Sequence, residues 1–345
     1  MRRSLARLRH TRQLPELGGF AAPSTPVPAI SIIMATYNRS NVLVHAIESV
    51  RAQTVDDWEL LVVGDACTDD TEEVVASFRD PRIRFVNLPV NMGDQSGPNS
   101  VGIRLARGRR IAWLNHDDLW FPDHLAQLVD ESVSSGADVV IARMFRVREL
   151  RRSEGAWEGR VELPDLGEEF VLCGGVAYQA SSWLMDARLA RRLRDWKPAA
   201  RLRYVSSQEY LYRAWSAGAT IRIAPLRSLV IIPSIVGGSA YLSRRDDEQR
   251  LLQDVVASGD RDVLEALGES DPPPGDFHPS RVISIADRQW TPIRRWMRAH
   301  SYGIFRRTAA IVTRLGLAPW EYAALLAGVP RGGTNSILRE RRGLS

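Results

Sequence analysis

The run Ile30-Ser31-Ile32-Ile33-Met34-Ala35-Thr36-Tyr37-Asn38-Arg39 decides how this chain folds. From Ile30 to Ala35 only Ser31 is polar. A short, nearly unbroken apolar run predicts a strand covered on both faces. The same rhythm continues outward. A helix is predicted from about Ser40 to Gln53, with Val42, Leu43, Ala46, Ile47 and Val50 on one stripe. Trp58 to Val63 is the next strand. Asp69 or Asp70 would cap the helix after it, whose first turn carries Glu72 and Glu73. Ile83 to Val86 is a third strand, followed by a helix after Pro98 with Val101, Leu105 and Ala106 inward. Ile111 to Leu114 is a fourth strand. Pro122 suits the first turn of a helix whose inner face is Leu125, Leu128, Val129 and Val133, and Ala137 to Ile141 is a fifth strand. Strands alternating with single helices predict an α/β fold, a mostly parallel sheet flanked by helices.

The second half is less regular. Strands are expected near 143–149, 157–163, 176–184, 219–224 and 227–232, with a helix near 207–217 and helical sequence over 243–267. The expected organisation is a loose tail over 1–28, a main domain over 29–240, and a helix within 241–270. A linker over 271–280, with Pro272, Pro273 and Pro274, and a helical Arg-rich C-terminal extension over 281–345 complete it.

Bulk properties narrow the function classes. No stretch reaches about 18 uninterrupted apolar residues, so no transmembrane helix is expected. The Arg-rich N-terminus lacks the apolar core of a secretory signal, and cytoplasmic residence is the expectation. Cys67 and Cys173 form no CxxC spacing, which argues against a disulfide scaffold or a structural zinc. The net charge of +5 is carried almost wholly by arginine, with Lys197 the one lysine of the chain. Residues 281–327 interleave Arg with Trp290, Ile293, Trp296, Met297, Tyr302 and Phe305. Two readings fit: an amphipathic helix on an anionic membrane surface, giving peripheral contact at the inner face, or a cap whose Trp face packs on the main domain. A dense basic face is missing, so no nucleic-acid partner is expected.

In open α/β sheets, ligands sit at the carboxyl ends of the strands. Three such ends carry chemistry. Ala35-Thr36-Tyr37-Asn38-Arg39 follows the first strand; its small and polar residues form either an ordinary turn or a place where backbone approaches a base or ribose. Asp65, directly after the second strand, would accept from the N–H groups of a base, or act as a local turn acceptor. Leu114-Asn115-His116-Asp117-Asp118-Leu119-Trp120 follows the fourth strand. Two adjacent acids there are neutralised cheaply only by water or a metal ion. Hard dications take carboxylate oxygens and keep positions open for substrate phosphates. The alternative is a solvated turn with Asp118 helping to cap the next helix. His116 lacks a second His at ligand spacing and reads as a neighbour shaping the turn.

Taken together, these residues resemble the family 2 glycosyltransferases of the GT-A fold. The similar stretch runs from about Ile30 to Leu128. It includes Ser31 to Arg39, Gln53-Thr54, Trp58 to Asp65, Cys67 to Thr71, Asn91-Met92-Gly93, Gly97-Pro98-Asn99, Gly102, Ala106-Arg107-Gly108 and Leu114 to Trp120. The resemblance implies a nucleotide-sugar binding half over 29–142 and an acceptor half over 143–240. It implies that Ala35, Thr36, Tyr37, Arg39 and Asp65 line the donor site. Asp117 would touch the ribose or the metal shell, and Asp118 would bind Mg²⁺ or Mn²⁺ bridging the diphosphate. Many members carry an acid where Asn115 stands, so D-x-D is reduced to N-x-D-D. The implied reaction is inverting transfer from a UDP-, GDP- or dTDP-sugar to a glycan or lipid-linked acceptor, in cell-envelope polysaccharide synthesis. Such transfer needs a base and a cation for the leaving diphosphate. Glu209, in Ser206-Ser207-Gln208-Glu209-Tyr210-Leu211-Tyr212-Arg213, is the candidate base, with Asp186 and Asp195 behind it. Ser206-x-x-Glu209 also reads as a capping box.

Two other classes stand beside this one. A sugar nucleotidyltransferase would carry a Gly-rich loop with Arg and Lys after the first strand, and Thr36-Tyr37-Asn38-Arg39 has no Gly. A non-catalytic nucleotide-sugar-binding module would keep the fold without turnover, and Asn115 in place of an acid points that way.

Overall fold

A computed structural model describes residues 26–164, 178–203, 205–232 and 246–270, together with residues 321, 330–333, 335, 336 and 339. Ten strands form one sheet: β1 Ile30–Thr36, β2 Trp58–Gly64, β3 Ile83–Asn87, β4 Arg110–Trp113, β5 Leu119–Trp120, β6 Val139–Ser153, β7 Ala156–Leu163, β8 Trp183–Asp186, β9 Ile221–Ile231 and β10 Gly268–Ser270. The helices are α1 Ser40–Arg51, α2 Thr71–Ser77, α3 Ser96–Leu105, α4 His124–Ser135, α5 Ala187–Leu193, α6 Ser206–Ser216, α7 Asp246–Ser258 and α8 Asp262–Ala266.

The strand order is β10-β7-β6-β8-β4-β1-β2-β3, with β9 beside β6 and β5 on β9. Parallel pairs join β1 to β2, β1 to β4 and β2 to β3, as the strand–helix alternation requires. β8 then enters antiparallel between β4 and β6. The sheet is therefore mixed, and its second half also holds parallel pairs, β6 with β9 and β7 with β10.

β1 and β2 sit centrally, and Ile30, Ile32, Ile33, Met34, Leu60, Leu61, Val62 and Val63 are fully buried. α1 covers them with the expected stripe, to which His45 and Ser49 are added. A second apolar cluster lies between α7, α8 and strands β5, β6, β7 and β9, around Leu119, Phe145, Val161, Leu252, Val255 and Leu264.

Several boundaries differ from expectation. α3 begins at Ser96, so Pro98 lies in its first turn, where a missing N–H costs nothing. α4 begins at His124, after Pro122, and Val133 is 65% exposed rather than inward. The two short strands expected over 137–149 are one strand, β6. Those expected over 219–232 are also one, β9. Register shifts beside Arg143 let β9 carry exposed Pro225 and Leu226 without losing its pairing to β6. The tail over 1–25, the linker and most of the C-terminal extension, with its tryptophans and Cys173, fall outside the described residues. Among the described residues, no helix is long and apolar enough to cross a membrane.

Candidate active site

The site lies at the carboxyl ends of β2, β1 and β4, which are neighbours in the sheet. Register places Thr36 opposite Gly64 and Ile33 opposite Trp113, so the loops after these strands emerge side by side. Hydrogen bonds tie them together. Asp65 N donates to the Thr36 carbonyl at 2.8 Å, and His116 Nδ1 lies 3.1 Å from the Ala35 carbonyl. His116 thus shapes the turn by linking β4 to β1, as its sequence context suggested.

Asp65 is buried, and both its oxygens are engaged. Oδ1 accepts from Met92 N at 2.6 Å and Oδ2 from Gly93 N at 3.0 Å. Two backbone amides on separate oxygens fix the orientation of this carboxylate. Asn91 Nδ2 reaches the Asp65 carbonyl at 2.9 Å. The motif residues Asn91, Met92 and Gly93 are therefore the cradle of Asp65. Beside it, Thr36 is 3% exposed and its Oγ1 has no hydrogen-bond partner, a buried hydroxyl at the end of a central strand. Tyr37 is half-buried and Arg39 is buried. Cys67 hangs over the same strand end, its Sγ 3.7 Å from the Thr36 carbonyl, and burial raises its thiol above the usual range.

Asn38 has φ +48, a left-handed turn that asparagine tolerates, and its amide pairs with Thr68 N and Oγ1 at 2.8 and 3.2 Å. Asp69, not Asp70, serves the start of α2. It accepts from Thr71 N and Oγ1 at 3.3 and 2.5 Å, and also holds Ser40 N at 3.2 Å. One aspartate thus serves the N-terminal turns of two helices.

The acidic turn divides its two carboxylates. Asp117 is half-buried, whereas Asp118 is 2% exposed. Asp118 Oδ2 accepts from Ser181 Oγ at 2.5 Å and from Asn115 Nδ2 at 2.7 Å. Ser181 Oγ in turn accepts from Asn115 N at 3.0 Å, and the Ser181 carbonyl accepts from Trp120 Nε1 at 2.7 Å. The 3-10 turn Ala180–Ser182, which leads into β8, is thereby fastened to the turn after β4. Asn115, standing where an acid was expected, donates to Asp118 in a way no carboxylate can. Gln249 of α7 approaches the Asp117 carbonyl at 3.5 Å. Ser181 and Gln249 escaped the sequence reading because neither carries charge or motif context.

The donor set suits a hard dication. Asp117, Asp118 and the Asn115 side-chain amide offer oxygen atoms of the kind a hard dication takes. Among the described residues, no three His, Cys, Asp or Glu side chains form a cage.

Glu209 lies elsewhere. Its carboxylate is buried and clasped by two cations, Lys197 Nζ at 2.7 Å and Arg213 Nε at 2.9 Å. The capping-box alternative fails: Val205 occupies the N-cap position and Ser206 Oγ is buried without a partner. Behind Glu209, Tyr210 stacks on Trp196 and meets Trp113 edge-on, which ties α6 to the strand that leads into the acidic turn. Asp186 caps α5 through Arg188 N and Leu189 N, and Asp195 pairs with Arg104. Both weaker base candidates thus have structural employment.

Comparisons with known proteins agree with this architecture. Residues 31–161 match the family described as Glycosyl transferase family 2. The succinoglycan biosynthesis protein ExoO of Rhizobium meliloti (strain 1021) is 36% identical over 138 residues, covering 36% of this chain and 39% of that protein. The Escherichia coli UDP-Glc:alpha-D-GlcNAc-diphosphoundecaprenol beta-1,3-glucosyltransferase WfgD is 38% identical over 96 residues, covering 28% of this chain and 38% of that one. The chain thus spans about two fifths of the length of these relatives. Among solved structures, S. aureus TarS 1–349 in complex with UDP-GlcNAc superposes with a TM-score of 0.51 at 16% identity, covering 91% of this chain and 92% of that one. That likeness shows the GT-A fold. The matched stretch, residues 31–161, holds the ends of β1, β2 and β4 and the acidic turn, and over it the chain is similar to glycosyl transferase family 2.

Proposed function

We propose that this chain is an inverting glycosyltransferase that moves a sugar from a UDP-, GDP- or dTDP-sugar to a hydroxyl of a glycan or lipid-linked acceptor. One observation carries the reading: Thr36, Asp65 and the Asn115–Asp118 turn are drawn into a single hydrogen-bonded cluster on the ligand-binding edge of the sheet. WfgD, by its name, uses UDP-glucose and a diphosphoundecaprenol-linked sugar, and TarS was crystallised with UDP-GlcNAc. Both support a sugar nucleotide as donor here.

In this reading Thr36, Tyr37 and Asp65 hold the base and ribose, with Ala35 and Arg39 completing the wall. Asp117 and Asp118 would hold Mg²⁺ or Mn²⁺, which supplies positive charge to the departing diphosphate. Asp117 is the more open ligand, and Asp118 is held behind it in a fixed orientation. Glu209 remains the proposed base. Its clasp by Lys197 and Arg213 defines the test, since Lys197 is 54% exposed and free to swing aside as an acceptor arrives.

The test is transfer by Asp117→Ala and Asp118→Ala across a screen of nucleotide sugars with Mn²⁺. Loss of transfer in both, with loss of metal-dependent nucleotide binding, is expected; normal turnover by either removes the mechanism. Glu209→Gln keeps shape and removes charge. Transfer should fall by at least about a hundredfold while nucleotide binding stays intact. Retained transfer would return Glu209 to a purely structural ion pair.

A further inference from the structure

Residues far outside the family match reach back to the rim of the donor site. Arg339 Nη1 donates to the Gly93 carbonyl at 2.8 Å. The amide of that same glycine donates to Asp65 Oδ2 at 3.0 Å, and Met92 N donates to Oδ1 at 2.6 Å. Arg339, Gly93 and Asp65 therefore form an unbroken chain of contacts. Gly93 has φ +86, the left-handed conformation that glycine adopts without steric cost. The turn that aims both amides at one carboxylate is short and has no side chain at its apex. Its position must then be fixed by neighbours.

Those neighbours are joined to the C-terminal residues at further points. Asp94 Oδ2 accepts from Ala199 N at 2.9 Å. Gly332 N donates to the Leu202 carbonyl at 2.6 Å, and Glu321 Oε1 accepts from Arg203 N at 2.6 Å. The turn over 92–94 and the segment over 199–203 are thus bound to each other, the first also to Arg339 and the second to Glu321 and Gly332. Ser336 N donates to the Gly332 carbonyl at 2.9 Å, giving the anchoring piece a helical turn of its own.

We propose that Arg339 is a positioning residue for the donor site: by holding the Gly93 carbonyl it keeps the Met92 and Gly93 amides on Asp65, so the C-terminal segment sets donor affinity. This rests on the donor-site reading above. A guanidinium bonded to a carbonyl is charge-assisted and directional, which suits a latch. Without it, the 92–93 turn loses its outer attachment, and Asp65 loses the fixed orientation that a base would meet.

The experiment uses the full chain. Arg339→Ala should weaken binding of whichever of UDP, GDP or dTDP the wild type takes by about tenfold, by calorimetry. The turnover number at saturating donor should stay within about twofold, because the acidic turn is untouched. Arg339→Lys should recover part of the loss, since an ammonium still donates. Arg331→Ala, an exposed change on the same segment, should do nothing. Independently of ligand, amide exchange in the peptide holding Met92 and Gly93 should accelerate in Arg339→Ala alone. Unchanged exchange with unchanged affinity overturns the proposal, and so does a fall in turnover number at unchanged affinity. A wild type that binds no nucleoside diphosphate would sink the donor-site reading instead, while the exchange measurement would still decide whether the latch exists.

Discussion

Ser181 Oγ accepts from the Asn115 amide and donates to the Asp118 carboxylate, so one hydroxyl sets both ends of the acidic turn. Alanine there would remove the Ser181 donor from Asp118 Oδ2 while the Asn115 side chain still donates to it. Side chains that orient metal ligands typically matter by about ten- to a hundredfold. Ser181→Ala should therefore lower transfer by about that factor at limiting Mn²⁺, with partial recovery at high Mn²⁺; a loss that metal cannot relieve would deny Ser181 this role. The acids themselves were legible, because two carboxylates after a buried apolar run demand an explanation. Ser181 was not: it lies 63 residues from Asp118, and only the antiparallel entry of β8 brings it there. Glu209 was legible as an acid on a helix, yet its partner Lys197 is not on that helix, so no local pattern announces the clasp. At Ser206-x-x-Glu209 local pattern reading went astray because the ion pair with Lys197 and Arg213 competes with capping and wins.

At the scale of elements, α3 lies close over β1 because Gly102 has no side chain. A Cβ there would stand 2.4 Å from Ile33 Cγ2, on a strand that cannot shift without moving Thr36. Gly102→Ala should destabilise the fold by about 1–3 kcal/mol through overpacking, measured by denaturant unfolding. No loss of stability would mean that α3 can ride outward freely. Helix propensity alone predicts the opposite sign, since alanine is the better helix former. The first four strands and the four helices of the alternating half were readable because each buried strand is an apolar run and each helix keeps one stripe, whereas the two-residue β5 was not expected. The later strands were harder. β7 was expected over 157–163 and runs over Ala156–Leu163, although its first five residues are mostly exposed. β6 and β9 were each split in two, because Arg143 and Pro225 look like breaks where the ladder in fact absorbs an irregularity.

The whole molecule joins its two apolar clusters across the β5–β9 pair, and His124 sits at that seam. It stacks on Trp120 at 4.4 Å, its Nδ1 lies 2.9 Å from Ser228 Oγ, and its Nε2 is buried without a partner. Burial, with the Arg261 charge adding to it, pushes its pKa down to about 3 from 6.5. The folded state therefore excludes a proton that the unfolded chain binds below about pH 6.5. Linkage gives the sign: above that pH His124 adds no pH dependence, and below it stability falls as the unfolded state gains the proton. The slope approaches about 1.4 kcal/mol per pH unit, or about 3 kcal/mol lost by pH 4. Unfolding free energies measured from pH 7 to pH 4 should show this decline, and His124→Gln should flatten it even though the variant is less stable at neutral pH. A variant with the wild-type slope would assign the acid sensitivity to other groups. Nothing in the local sequence Phe121-Pro122-Asp123-His124 marks this histidine as a buried, neutral one. Its state depends on Ser228, 104 residues away, and on the strand pairing that brings β9 against the turn after the acidic motif.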